Sequence, residues 1–276
     1  MRVATGYCLW IDSDSEYGPT SVSVPGLKAS YDQDPAQTTQ QDPALHALQA
    51  ARFAHPIHVS LARVARCSDH KEHPLSRPLI ALDADGVLLD YNLGYAAAWE
   101  RAFGVHPRER DPQAYWAIDR WEVTRLSGAP LDRCRAAFDE QFWSSLPAIS
   151  GALQACQALH EAGYDLVCVS ALGAHHEDAR LQNLRELGFP IARVIATGSA
   201  TLDRSPKADA LAALHPVAFV DDYLPYLVGV PDTIHTALVQ RETNGSPNIG
   251  EALALARSSH ADLADFADRW LSQISR

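Results

Sequence analysis

The segment Leu79-Ile-Ala-Leu-Asp-Ala-Asp-Gly-Val-Leu-Leu-Asp90 decides the fold class of this chain. Its first four residues are apolar and predict a buried strand. Asp83 and Asp85 follow where that strand would end, and Gly86 permits a tight turn after them. Two acids this close repel each other, so a nearby cation or a raised pKa must relieve them. Alone, the pattern is more typical of a capped turn or a solvated loop.

Length and composition limit the classes of protein to consider. The chain has 276 residues, of which 47% are hydrophobic and 21% charged, as in a soluble globular protein with room for two domains. A net charge of -11 argues against a nucleic-acid polymer as partner. No apolar run is long enough to cross a membrane, and the N-terminus does not resemble a secretory signal. We therefore expect a cytoplasmic protein, and any phosphorylated partner should be a small metabolite that is recognised locally. The oligomeric state stays open.

Cysteine and lysine usage add two observations. The five cysteines are scattered and odd in number, which predicts reduced core residues and no disulfide framework. Among 23 basic residues the only lysines are Lys28, Lys71 and Lys207. Lys207 is therefore the only lysine after residue 71, and a lysine in the first turn of a helix opposes the helix dipole. Its position favours a chemical role over a structural one.

Residues 1–77 differ in texture from the rest of the chain. They are rich in Asp, Gln, Ser, Thr and Pro without a sustained apolar period, which predicts a mostly disordered extension. One short helix is expected over residues 43–53. Asp12 and Asp14 repeat the Asp-x-Asp pattern, but no further polar strand ends follow them before residue 77.

From residue 78 the sequence predicts strands that alternate with amphipathic helices, the pattern of an α/β fold with a parallel sheet covered on both faces. The expected strands are 79–82, 165–169, 192–196, 217–220 and 236–239. The expected helices are 149–162, 177–187, 206–214, 250–257 and 260–275. Residues 92–147 are too long for a single crossover and predict an inserted helical cap, with helices over 95–103 and 131–142. The core would then comprise 78–91 and 148–276.

Three further features lie at predicted strand ends. Ser170 ends the second strand, where its hydroxyl could donate to phosphate. Lys207 follows Ser205 and Pro206 at a helix start, where its ammonium group could neutralise phosphate beside Asp83. Asp221 and Asp222 end a later strand. Carboxylates at such an edge suit Mg²⁺, with Asp83, the Asp85 carbonyl and one or both of this pair as ligands.

Taken in order, Asp83-x-Asp85-Gly86, Ser170, Lys207 and Asp221-Asp222 resemble the motifs of the haloacid dehalogenase superfamily. The resemblance implies a Rossmannoid core, Mg²⁺ as cofactor and an aspartyl-phosphate intermediate. It implies Asp83 as nucleophile, Asp85 as acid and base, and Ser170 and Lys207 as phosphate-binding residues. Of the last pair, Asp222 is favoured as the direct metal ligand, and Asp221 as a ligand or the partner of Lys207.

Departures from other branches of that superfamily favour a phosphomonoesterase. Dehalogenases lack a second acid at the position of Asp85, and transport ATPases carry Thr there. Phosphonate hydrolases use a cap lysine, and residues 92–147 contain none. A phosphomutase and a non-catalytic phosphate sensor on the same fold remain as alternatives, and the short cap is somewhat similar to that of deoxyribonucleotidases.

Several weaker signals have two interpretations each. Trp116, Trp121 and Trp143 could stack on a substrate ring, although a core role within the cap is favoured. Arg120 and Arg125 could read a second anionic group or be solvated. His175 and His176 could line the leaving-group pocket, with an exposed helix start favoured. The spacing of Cys67, His70 and His73 is a weak zinc pattern without a fourth ligand.

Overall fold

Six parallel strands form one sheet in the computed structural model, which describes residues 77–198 and 204–274. The strands are β1 (Leu79–Leu82), β2 (Asp165–Ser170), β3 (Val194–Ala196), β4 (Ala218–Asp221), β5 (His235–Val239) and β6 (Ser258–His260). Their order in the sheet is β3-β2-β1-β4-β5-β6. The predicted Rossmannoid α/β fold is confirmed. The winding reverses between β1 and β4, and open sheets bind ligands at the strand ends beside such a reversal.

Eight α-helices accompany the sheet. They are α1 (Tyr91–Phe103), α2 (Ala117–Arg120), α3 (Gly128–Ala136), α4 (Glu140–Trp143), α5 (Ala152–Glu161), α6 (Glu177–Glu186), α7 (Ala208–Leu214) and α8 (Leu263–Ile274). None of the described helices has the length and apolar character that a membrane crossing requires.

Strand β1 is buried on both faces, which explains why its sequence is a continuous apolar run. Ile80 and Leu82 belong to the larger core, which also contains residues of α1, α5, α6 and α8. Ala81 points to the opposite core, which includes Leu211 of α7 and Phe219 of β4. Because successive strand residues alternate between faces, this short strand joins both layers of the fold.

Two predicted helices need correction, and one strand was missed. The helix expected at 250–257 is a 3₁₀ helix over Glu251–Leu255, and β6 follows it at a position where no strand was predicted. The single helix expected at 131–142 is divided into α3 and α4. The interruption has a local cause. The Asp139 side chain accepts a hydrogen bond from the Phe142 amide at 3.0 Å, and this cap starts a new helix.

Four helices, α1 to α4, begin within or one residue before the predicted cap segment, residues 92–147, which we call the insertion. Its status as a separate domain stays a prediction. The N-terminal extension, the helix at 43–53, the Asp12 and Asp14 pattern and the weak zinc pattern lie outside the described residues. The cysteines that the structure describes, Cys134, Cys156 and Cys168, are buried with free thiols, as predicted.

Candidate active site

The register of the central strands brings the predicted site residues to one edge of the sheet. Leu82 of β1 pairs with Cys168 of β2 on one side and with Val220 of β4 on the other. Asp83 follows Leu82 directly and Asp221 follows Val220, so the two carboxylates lie at the same level. Ser170, at the end of β2, is also at this edge and is buried. Strand pairing therefore brings Asp83, Ser170 and Asp221 to the same edge.

Lys207 links the two buried carboxylates. Its ammonium Nζ lies 2.6 Å from Asp83 Oδ1 and 2.7 Å from Asp221 Oδ2, and the side chain is fully buried. The residue lies immediately before α7, and its amide donates to Ser205 Oγ at 3.2 Å. Its charge faces the aromatic rings of Phe219 and Tyr226. A buried ammonium group held this way is a fixed positive charge beside Asp83.

Asp222 has a different cation. The Arg241 Nε donates to Asp222 Oδ2 at 2.6 Å, and Arg241 also pairs with Glu242. Gly86 of the turn after β1 packs against this pair with a φ of +86°, and a Cβ there would lie 2.1 Å from Asp222 Oδ2. Glycine is thus required at this position by its backbone conformation and by the close approach of Asp222.

Asp85 turns to the other side of β1 and contacts Arg180 of α6. The Arg180 Nη2 lies 2.8 Å from Oδ1 and 3.1 Å from Oδ2 of Asp85. Arg180 is fully buried, whereas the Asp85 side chain keeps 20% of its surface exposed. Asp85 is therefore held by a cation that contacts neither Asp83 nor Asp221 among the ion pairs of the described residues.

The carboxylates of Asp83, Asp221 and Asp222 form a group that suits a metal ion. One oxygen from each lies within 4.8 Å of the others, and all three residues are buried. Three carboxylates crowded in a buried site repel one another, and a hard divalent cation prefers such oxygen ligands. The donor set therefore fits the predicted Mg²⁺, with Asp83, Asp221 and Asp222 as side-chain ligands. A role for the Asp85 carbonyl as ligand stays a prediction.

Burial shapes the ionisation of these groups. Burial raises the pKa of Asp222 to about 6, against the lowering effect of Arg241. Burial also raises the pKa of Asp85, and the Arg180 charge opposes that rise. For Lys207, burial alone would lower the pKa, but the charges of Asp221 and Asp83 raise it above its ordinary value. Lys207 is consequently protonated at neutral pH.

The insertion contacts the site through Tyr115. Its hydroxyl donates to the Asp222 carbonyl at 3.0 Å, and Asn248 Nδ2 donates to the same carbonyl at 2.7 Å. The Arg241 guanidinium lies over the Tyr115 ring, 4.6 Å from its centroid. Asp222 is thus fixed by one residue of the insertion and by two from the loop after β5.

The weaker predictions have mixed outcomes. Trp121 and Trp143 are buried and donate to the carbonyls of Asn92 and Phe138, which confirms the core role that was favoured. Trp116 is partly exposed and donates to Gly245 O at 3.0 Å. Arg120 pairs with Glu109 and Glu242, and Arg125 is exposed.

The His175–His176 pair precedes α6, as expected for a helix start. His175 is exposed, and His176 is partly buried with its ring centroid 5.5 Å from that of Trp143. Burial lowers the pKa of His176. Neither histidine forms an ion pair with Asp83 or Asp85 among the described residues.

A cavity of about 340 Å³ is lined in part by Gly86 and Val87 of the turn after β1. Arg241 and Glu242 line one side, and Asp90 and Tyr91 at the start of α1 line another. None of Asp83, Asp85, Ser170 and Lys207 lines this cavity. It adjoins the site and does not cover the predicted nucleophile.

Arg180 and Arg241 are the site residues that sequence reasoning missed. Each carried a signal. Arg180 falls on the buried face of its predicted helix, beside Ala179 and one turn from Asn183 and Leu184, where a charged residue needs a partner. Arg241 follows β5 by two residues, so it lies near the same sheet edge as the other strand-end residues.

The haloacid dehalogenase-like hydrolase family model matches residues 78–224, slightly more than half of the chain, and spans all four predicted motifs. This chain belongs to the haloacid dehalogenase-like hydrolase family. No curated protein matches it in sequence.

The chain also matches solved structures of several haloacid dehalogenase-like proteins at low sequence identity. A predicted phosphoglycolate phosphatase from Haemophilus somnus 129PT is 15% identical, with 71% of this chain and 98% of that chain covered and a TM-score of 0.49. A defluorinating L-2-haloacid dehalogenase is 16% identical, with 70% and 94% covered and a TM-score of 0.45. A Deinococcus radiodurans R1 family member with bound phosphate and sodium is 16% identical, with 69% and 93% covered and a TM-score of 0.46.

Proposed function

We propose that this hydrolase is a Mg²⁺-dependent phosphomonoesterase that acts on a small phosphorylated metabolite. One observation carries the proposal: two acids separated by one residue have different environments. Asp83 lies beside Lys207 and the carboxylates of Asp221 and Asp222, whereas Asp85 lies beside Arg180 and its side chain keeps 20% of its surface exposed. A nucleophile and an acid–base group need different surroundings of this kind.

In the first half-reaction, an Asp83 carboxylate oxygen attacks phosphorus and the bond from phosphorus to the ester oxygen breaks. The Asp85 carboxyl donates its proton to the leaving oxygen, which departs as an alcohol. Lys207 and Ser170 bind phosphoryl oxygens. The product of this step is a phosphate group bound covalently to Asp83.

In the second half-reaction, the Asp85 carboxylate takes a proton from a water molecule. The water oxygen attacks phosphorus, and the bond between phosphorus and Asp83 breaks to release inorganic phosphate. Asp85 ends the cycle protonated and Asp83 ends it as a carboxylate, so the protons balance.

Asp83, Asp221 and Asp222 would hold the Mg²⁺ ion. When bound, the ion supplies positive charge that offsets the charge of the transferring phosphoryl group. Asp221 uses Oδ2 to pair with Lys207 and Oδ1 to accept from the Tyr223 amide at 2.8 Å, whereas Asp222 pairs with Arg241 through Oδ2. Asp222 is therefore the carboxylate better placed to serve chiefly as a metal ligand.

The presence of Asp85 supports phosphate-ester cleavage over dehalogenation. A halide leaves without a proton, whereas an alkoxide is a poor leaving group and needs one. A carboxyl group at the position of Asp85, partly exposed and anchored by a buried arginine, supplies that proton donor.

The direct test is hydrolysis of phosphate esters by the full chain with and without Mg²⁺, in the wild type and in Asp83→Asn. We expect turnover that depends on Mg²⁺. In Asp83→Asn it should fall by about 10⁵-fold, the order of loss seen when the nucleophile of a catalytic group that acts as a unit is removed. Asp268→Asn, an exposed acid in α8, is the matched control and should retain full activity. Absence of turnover across a broad panel of metabolites, or full activity in Asp83→Asn, would contradict the proposal.

A further inference from the structure

Arg180 has no role in the two half-reactions proposed above. It is fully buried on the inner face of α6, where an unpaired charge is costly. Its ion-pair partner among the described residues is Asp85, whose two oxygens lie 2.8 and 3.1 Å from Nη2. The burial of a whole guanidinium group for this single contact calls for an explanation beyond stability, because replacing buried ion pairs by apolar residues is often neutral or favourable.

The rest of the guanidinium group makes no competing polar contact in residues 77–198 and 204–274. Its Nε and Nη1 have no hydrogen-bond partner there. Its flat face lies on the indole of Trp143, with the carbon of the guanidinium 5.1 Å from the ring centroid. Trp143 is itself fixed by a hydrogen bond to Phe138 O at 3.2 Å. Arg180 is therefore held in one orientation by an aromatic face of the insertion and presents an edge to Asp85.

We propose that Arg180 is a positioning residue that orients the Asp85 carboxyl group toward the leaving oxygen of the substrate. The inference rests on the proposed function of Asp85 as acid and base. A carboxyl group can rotate about its side-chain torsions. The hydrogen bond from Arg180 Nη2 to Asp85 Oδ2, together with the 2.8 Å ion-pair contact to Oδ1, restricts that rotation. Correct orientation of a proton donor is worth large factors in rate, because misplacement by about 1 Å can cost 10²-fold.

The proposal also explains why the cap helix α4 reaches the core at this point. Trp143 contacts Arg180 and not Asp85 among the described aromatic and polar contacts, so the insertion acts on the acid through the arginine. Positioning thereby depends on residues from α6 and α4 and leaves the groups around Lys207 unchanged.

The test compares two substrates whose leaving oxygens differ in basicity. An aryl phosphate such as p-nitrophenyl phosphate leaves readily without a proton, whereas an alkyl phosphate such as glycerol phosphate needs one. The value of kcat/KM reports the steps through the first phosphoryl transfer for each ester. In Arg180→Gln we expect kcat/KM for the alkyl ester to fall by about 10- to 100-fold, with a fall of less than about threefold for the aryl ester.

Two further variants control for folding. Arg185→Gln changes an exposed arginine on the same helix and should leave both values unchanged. Arg180→Lys keeps the charge and one donor, and should recover part of the loss for the alkyl ester alone. Its recovery would show that the position of Asp85, and not the packing of α6, is what Arg180→Gln disturbs.

Equal falls for the two esters in Arg180→Gln, with no selective recovery in Arg180→Lys, would overturn the inference and indicate a structural role for Arg180. Unchanged kcat/KM for both esters would overturn it as well. If the wild type turns over neither ester, the proposed function itself is wrong, and the positioning role falls with it. The wild-type measurement thus separates the two failures.

Discussion

The two acids that follow strand β1 have different cations. We call the surroundings of Asp83 the lysine side and those of Asp85 the arginine side. On the lysine side, Lys207 joins Asp83 to Asp221 in a fully buried cluster that also includes Asp222. On the arginine side, Arg180 contacts Asp85 alone among these acids, and the Asp85 side chain is partly exposed. Residues that are two apart in sequence thus face different cations, one immediately before α7 and the other within α6. The comparison teaches that the cation beside each acid, and not its place in the motif, gives it a separate task.

Replacing Asp85, the acid of the arginine side, should strongly lower the activity. We expect Asp85→Asn to lower kcat/KM for an alkyl phosphate by about 10²- to 10⁴-fold, the usual contribution of a positioned acid or base. The lysine side should keep its geometry, so stabilisation by Mg²⁺ in a thermal melt should match that of the wild type.

The activity and the Mg²⁺-dependent stabilisation of Asp85→Asn together test whether the two sides are separate. Loss of Mg²⁺-dependent stabilisation in Asp85→Asn would mean that the Asp85 side chain belongs to the metal cluster, and the two sides would then be one. Asp178→Asn, an exposed acid in the first turn of α6, is the control and should change neither readout.

A smaller effect is expected on the lysine side, where the ionisation of Asp222 should make the free energy of unfolding depend on pH. The pKa of Asp222 is raised by burial to about 6, so the folded state binds its proton more tightly than the unfolded state. Stability from this group is therefore greatest below the ordinary carboxyl pKa and is lost as the pH rises to about 6. Mg²⁺ should relieve that loss, because the ion binds the ionised carboxylate.

Thermal melts with and without Mg²⁺ at about pH 5 and about pH 7.5 measure this difference. We expect about 2.7 kcal/mol of stabilisation at the higher pH when the free ion is at about 100 times its Kd, and much less at the lower pH. In Asp222→Asn the gain should be small at each pH. An equal gain at the two pH values, or an undiminished gain in Asp222→Asn, would contradict the assignment of Asp222 to the metal site.

Most of the lysine side could be predicted from the sequence. Apolar runs mark β1 and β4, and Asp83 and Asp221 follow them directly, so parallel pairing alone brings the two acids together. The scarcity of lysine drew attention to Lys207. Each of these signals can be read from a short segment or from the composition, and the pairing of the strands then brings the residues close together.

The arginine side could not be predicted in the same way. Arginine is the common basic residue of this chain, so Arg180 and Arg241 do not stand out by composition. The contact of Arg180 with Asp85 spans 95 positions and depends on how α6 rotates against the sheet. Helical periodicity gives the buried face of α6, but it does not name the partner of a charged residue on that face.

The misassigned elements have physical reasons of the same kind. Strand β6 has only three residues, Ser258–His260, and gains its place by pairing at the sheet edge with β5. Its polar sequence gives no apolar alternation to detect. In the insertion, apolar periodicity continues across residues 131–142, but the capping bond of Asp139 overrides it and divides the helix.

The central claim is that Asp83 becomes covalently phosphorylated, and acid quenching during turnover of a phosphate ester with Mg²⁺ tests it most directly. Mass spectrometry of the digested protein should find one phosphate group on Asp83. With an aryl phosphate, whose leaving group needs no proton, Asp85→Asn should carry more of it because hydrolysis of the intermediate is slowed. Asp83→Asn should carry none. Steady turnover without a phosphate group on Asp83, or with the group on another residue, would contradict the account.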